Sequence, residues 1–186
     1  KVRKNKKNLG RSIEERPESI NMREEFGHWE IDTVIGEKSS SDCVLLTLLE
    51  RKTRNAIIRQ IASKTADAVM KELTKIRNQL GDKFSQVFKS ITTDNGSEFA
   101  ELSSIEADTE TRVYFTHPYS SFERGTNERH NGLIRRFIPK GKRMSDYSLD
   151  DIAFIEDWMN TLPRKILRYK TPEELFEDHM DIIYAI

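Results

Sequence analysis

Three acidic residues occupy positions where an ionised carboxylate needs a reason. In the run HWEIDTVIG (28–36), Trp29, Ile31 and Thr33 fall on one side of a two-residue alternation, and Glu30, Asp32 and Val34 on the other. Asp32 therefore lies in the middle of a predicted core strand, where a charge is costly unless it is paired or binds a metal. In ITTDNGSEF (91–99), Asp94 closes an apolar stretch, and Asn95-Gly96 makes a sharp turn. That puts a carboxylate at the carboxyl edge of a sheet, where folds of this type bind ligands. Glu128 follows with 33 residues between it and Asp94. An Asx turn closed on Gly96 would explain Asp94 alone, and a solvated helix position would explain Glu128 alone. The trio together points to a metal. Two carboxylates about 4 Å apart repel by roughly 4 kcal/mol at an effective dielectric near 20, and divalent cations remove that penalty. Magnesium takes octahedral oxygen ligands and keeps several waters, so a few carboxylates suffice. Two such ions, roughly 3.5–4 Å apart, can activate an attacking oxygen and stabilise a leaving one. The expectation is a site with two Mg2+ ions, Mn2+ being a substitute, in which Asp32 bridges both ions, Asp94 holds one and Glu128 the other.

Other groups that could compete for these roles read as ordinary. Glu30, Glu98 and Glu123 are neighbouring carboxylates expected to support structure. His28, His117, His130 and His179 have no metal-ligand spacing, and Trp29 and Phe115 are expected in the core. Cys43 is the only cysteine. It excludes an intramolecular disulfide and any zinc site needing two thiolates, and it predicts a reducing compartment such as the cytoplasm.

The elements that must position the trio follow from periodicity. Trp29–Ile35, Cys43–Glu50 and Asn55–Ala62 are short runs rich in β-branched and apolar residues, separated by turn residues, which predicts an antiparallel meander. Ala66, Val69, Met70, Leu73, Ile76 and Leu80 recur at helical steps, and Gly81 is placed to stop the helix. Val87–Thr93 and Arg112–Phe115 are predicted as further strands, and Glu123–Phe137, Leu149–Asn160 and Thr171–Phe176 as helices. The last of these opens with Thr171, Pro172 and Glu174, a capping box with proline at the first helical position. The fold class is α/β, a sheet flanked by helices.

The 186 residues are 36% hydrophobic and 33% charged, which suits one soluble globular domain. The longest apolar run, Cys43–Leu49, is too short to span a bilayer, and no secretory signal is legible at the start. The formal charge is zero, with 31 basic and 31 acidic residues, but the signs are segregated. Residues 1–11 contain Lys1, Arg3, Lys4, Lys6, Lys7 and Arg11 and no acid. A second basic stretch, Arg129, Arg135, Arg136, Lys140, Lys142 and Arg143, follows Glu128 and is offset in the total by the acidic segment 146–157. Residues 1–26 are expected to be a basic linker and lead-in without core, and 27–186 the domain proper. The chain starts without methionine, which predicts that it begins inside a longer protein.

The combination of WEIDTV, TTDNGSEF and HPYSSFERGTNERHNGLIRRFIPKG (117–141) resembles the DDE catalytic core of bacterial insertion-sequence transposases, most of all the family named after insertion sequence thirty. Retroviral integrases are more distantly similar. The resemblance covers Gly27–Phe176 and implies a ribonuclease H-like fold: a mixed five-stranded sheet whose first three strands are antiparallel. It implies that water cleaves transposon ends and that the freed 3′ hydroxyl then attacks target DNA, both at one site holding Asp32, Asp94 and Glu128. Tyr119, Arg124, Asn131, Arg135 and Lys140 are the DNA contacts this resemblance suggests. Arg135 is the leading candidate for a phosphate contact. Gly132, costing a helix roughly 1 kcal/mol relative to alanine, would be explained by close approach of a DNA backbone. The resemblance further implies an upstream helix-turn-helix domain joined through the basic arm, action as a homodimer or larger assembly, no membrane association, and a bacterial cytoplasmic location at the nucleoid when DNA is bound. A hydrolytic nuclease of the same fold and a DNA-binding module without catalysis are the alternatives.

Overall fold

The computed structural model describes residues 9–39, 41–117 and 125–185, with residues 125–128 described by their backbone. After a short helix α1 (Glu18–Asn21), the strands β1 (His28–Ile35), β2 (Val44–Glu50) and β3 (Ala56–Ile61) form the expected antiparallel meander. Helix α2 (Ala66–Leu80) begins where the Thr65 hydroxyl accepts from the Ala68 N–H and ends at Gly81, whose combination of φ 55° and ψ −129° only glycine adopts without strain. Then come α3 (Phe84–Val87), β4 (Ser90–Thr93), α4 (Ile105–Asp108), β5 (Arg112–Phe115), α5 (Gly125–Ile134), α6 (Leu149–Thr161) and α7 (Pro172–Tyr184). The sheet order is β3-β2-β1-β4-β5, with β4 parallel to β1 and β5 parallel to β4. This is the mixed five-stranded sheet with an antiparallel first half that the resemblance implied.

Alternation along the strands divides the core between the two faces of the sheet. Trp29, Ile31, Leu46, Leu48 and Ile91 pack with residues of α2 and α3 and with Phe176, Met180 and Ile183 of α7. Trp29 stacks on Phe88 at 4.4 Å, and its indole N–H donates to the Val87 carbonyl at 2.7 Å. Val34, Leu45, Leu49 and Ile58 face the other way, against Ile134 at the end of α5, Ile138, and Ile152, Ile155 and Met159 of α6. Full burial of each large apolar side chain contributes about 1.5–3 kcal/mol, so the second layer pins α5 and α6 over the β1 face that carries Asp32.

Three expectations about elements need correction. The apolar run from Val87 is strand only from Ser90. Phe84–Val87 is a helical turn in which Phe88 N–H donates to the Phe84 carbonyl, burying Val87 and Phe88 without extending the chain. The terminal helix runs on to Tyr184, because Met180 and Ile183 continue its apolar side. The lead-in does carry core: Ile20 and Phe26 are buried, and Phe26 stacks on His179 at 4.6 Å. Ser12 forms a parallel bridge to Phe115, whose N–H donates to the Arg11 carbonyl, so this segment lines the β5 edge. Its few apolar residues are too widely spaced among charges to show a period.

Candidate functional site

The parallel ladder between β1 and β4 pairs His28 with Ser90, Trp29 with Ile91 and Glu30 with Thr92. β1 runs on through Asp32 and β4 leads directly into Asp94, so both residues lie at the same end of this parallel pair. The adjacency of the first and fourth strands, which the sequence alone left open, is thus present. Asp32 is fixed on both carboxylate oxygens. The Thr33 N–H donates to Oδ1 at 2.8 Å, and the Asn131 amide on α5 donates to Oδ2 at 3.2 Å. Asp94 makes the turn foreseen for it, its Oδ1 accepting from the Gly96 N–H at 2.8 Å. A Cβ at Gly96 would lie 2.5 Å from Glu98 Oε2 and 2.9 Å from Asp94 Oδ1, so a larger residue there would displace those carboxylates. Asn95 anchors the turn, accepting from Leu9 N–H at 3.0 Å and donating to the Thr116 carbonyl.

Helix α5 is held to β1 by a second polar tie. Arg135 donates to the Ile35 carbonyl at 2.7 Å and to the Ile138 carbonyl at 3.4 Å, and burial lowers its pKa from the ordinary guanidinium value. The side chain expected to meet a phosphate is thus engaged with main chain, and Asn131, also expected at DNA, is engaged with Asp32. Lys140 is exposed, and a Cβ built on Gly132 would meet no described atom within 4 Å beyond its chain neighbours and its own helix backbone. Glu128 stands one turn before Asn131 in α5; its side chain, Tyr119, Glu123 and Arg124 lie outside the described residues. The Asn131–Asp32 bond was not foreseen. Asparagine three residues after Glu128 was the available signal, but its partner depends on how the helix is rotated against the sheet.

The remaining groups behave as supports. Glu98 is buried and accepts from the Thr33 hydroxyl at 3.0 Å, with Lys64 Nζ at 3.1 Å. Glu30 is buried and paired with Arg51. His28 bridges Ser90 and Glu25, and His117 lies 3.2 Å from Glu14. Trp29 and Phe115 are in the core. Among the described residues no group of three or more His, Cys, Asp or Glu side chains could hold a metal ion, and no helix is long and apolar enough to cross a membrane.

Comparison with known proteins adds to this geometry. The model of the integrase core domain family matches residues 23–121. A probable transposase for the insertion-like sequence element IS1161 of Streptococcus salivarius is 45% identical over 174 residues, covering 92% of this chain and 48% of the relative. The transposase for insertion sequence element IS4351 of Bacteroides fragilis is 40% identical, over 95% of this chain and 54% of the relative. Transposase InsI for insertion sequence element IS30A of Escherichia coli (strain K12) is 38% identical, over 90% and 42%. The chain spans about half the length of these relatives. Among solved structures, a chain of the simian T-cell lymphotropic virus intasome, determined by electron cryomicroscopy in complex with PP2A regulatory subunit B56 gamma, aligns with a TM-score of 0.62 at 19% identity. The alignment covers 80% of this chain and 53% of that one. That likeness is one of fold, which is ribonuclease H-like.

Proposed function

Because the chain belongs to the integrase core domain family, we propose that it is the catalytic core of a DNA transposase that cleaves transposon ends and joins the 3′ hydroxyl to target DNA. The observation that supports this reading is the parallel pairing of β1 with β4, which carry Asp32 and lead into Asp94 at the same end of the sheet, with the Asn131 amide of α5 donating to Asp32. Hard carboxylate oxygens at a sheet edge suit Mg2+, which needs only one or two carboxylates besides phosphate oxygens and water. Asp32 and Asp94 would hold a pair of Mg2+ ions, or Mn2+ in their place, with Glu128 of α5 as the third carboxylate. When bound, such ions supply the Lewis acidity that activates an attacking oxygen and stabilises the leaving one. The chain's own work is to hold the carboxylates ready. Thr33 N–H and the Asn131 amide orient Asp32, and Gly96 N–H orients Asp94, so no reorganisation is needed when charge develops.

Tyr119, Arg124 and Lys140 remain proposed DNA contacts, whereas Asn131 and Arg135 would act by positioning α5. Joining two ends requires two active copies, so a dimer or larger assembly acts, in a bacterial cytoplasm at the nucleoid. The part of the chain before residue 27 would lead from an end-recognising domain. The reading is tested with precut end duplexes, a plasmid target and Mg2+, scoring nicked and joined products separately. Asp32→Asn, Asp94→Asn and Glu128→Gln are each expected to reduce both products by more than the roughly 100-fold that loss of an outer partner costs, with the circular dichroism spectrum unchanged. Hydrolysis without joined product would favour a nuclease, and near-normal activity in any one variant would remove that residue from the site.

A further inference from the structure

A cavity of about 750 Å3 opens beside α5, its wall including Arg129 and His130, immediately before Asn131. Four segments distant in sequence converge there: the lead-in at Arg23, the β2–β3 turn at Arg54, α5 at Arg129, and the α6–α7 connection at Arg164 and Lys165. These five cations line it, and among the described residues no Asp or Glu does. The groove beside α7 differs, because there Lys52 and Lys89 are offset by Glu24, Glu25 and Glu110. Like charges brought together in a partly enclosed space repel, so the arrangement calls for an anion.

Arg54 makes that call sharpest. It is 8% exposed, and its Nη1 is buried with no hydrogen-bond partner among the described residues. The acids behind it are engaged elsewhere: Glu30 with Arg51, and Glu50 with the N–H groups of Gly27, Lys52 and Thr53 and the Thr53 hydroxyl. Burial first, then the charge of Arg23, pushes the Arg54 pKa down to about 10. Its backbone has a φ of 65°, a conformation glycine or asparagine adopts more easily. The turn therefore gives no reason for arginine, and the cavity does. Arg164 donates to the Met159 carbonyl at 2.8 Å while its Nε is buried without a partner among the described residues. None of the five cations forms an ion pair among the described residues. Guanidinium groups present forked donors that match phosphate oxygens.

We propose that this cavity binds a phosphate group, and that under the function proposed above the phosphate belongs to a DNA strand running past α5. The chemistry of the pocket does not depend on that function; only the source of the phosphate does. Two arms test it on the whole chain. In the first, anisotropy of a labelled duplex is followed from roughly 50 to 200 mM salt for the wild type, Arg129→Gln/Lys165→Gln at exposed positions, and Arg54→Gln. Lys71→Gln/Lys75→Gln on the exposed side of α2 is the charge-matched control. Each lost phosphate contact should shallow the slope of log affinity against log salt by about 0.9 and weaken binding several-fold, while the control leaves the slope unchanged. In the second arm, broadening of the 31P line of inorganic phosphate by the wild type should disappear in the Arg129→Gln/Lys165→Gln variant. A loss in the duplex arm assigns the strand as source, and a loss in the phosphate arm alone assigns a free anion. A double variant equal to the wild type in both arms overturns the proposal. A wild type that binds phosphate through these residues yet neither cuts nor joins DNA would sink the proposed function and leave the pocket standing.

Discussion

Asp32 is gripped from two directions, by its own neighbour's N–H on β1 and by an amide reaching down from α5. A carboxylate so held has little freedom to swing when an ion or a phosphate arrives. Replacing Asn131 with alanine removes only the second grip, so the fold should stand while the divalent-ion concentration needed for half-maximal cleavage rises. A 10- to 100-fold loss is roughly the magnitude expected when such an outer partner is removed, and titrating Mg2+ against cleavage measures it. An unchanged metal requirement would mean that the amide does not tune Asp32. The strand position of Asp32 and the turn made by Asp94 were legible in the sequence, because strand alternation and an Asn-Gly turn are local features that need no knowledge of the rest of the molecule. Asn131 and Arg135 were not, since the helical period puts them on one face of α5 but says nothing of which face meets β1.

At the level of elements, whatever announced its own ends was readable. Helix α2 carries Thr65 and Gly81 at its boundaries and α7 carries the Thr171 capping box, and both begin where expected. Elements defined by distant partners were not readable. The lead-in is one, since Ile20 and Phe26 are buried only by what folds over them. Ile20→Ala should destabilise the chain by about 2–5 kcal/mol, read as a shift of the urea midpoint; a free linker would show no shift. The docking of this segment should also depend on pH. Hydrogen bonding first to His28 and then to Lys89 holds the Glu25 carboxyl down to about 2, against an ordinary value of 4.5. A lowered carboxylate pKa contributes stability above the unfolded value and loses it as pH falls through the folded one. Between pH 4.5 and 2 the wild type should therefore lose stability more steeply than Glu25→Gln, as followed by tryptophan fluorescence.

The whole molecule divides its labour between the two faces of one sheet. One face buries Trp29, Ile31 and Ile91 under α2, α3 and α7, a large apolar layer with few polar interruptions. The other carries Asp32 on β1 beneath α5, with the second apolar layer keeping that helix in place. The same helix borders the cationic cavity, so acid and base are arranged along one element while the net charge stays at zero. Composition could not disclose that arrangement, because a sum hides which charges are neighbours. The central claim is that Asp32 and Asp94 meet over a bound ion, and anomalous diffraction from crystals soaked in Mn2+ tests it most directly. The account predicts a peak within about 2 Å of a carboxylate oxygen from each of the two residues; Mn2+ bound only elsewhere, with those carboxylates turned apart, would contradict it.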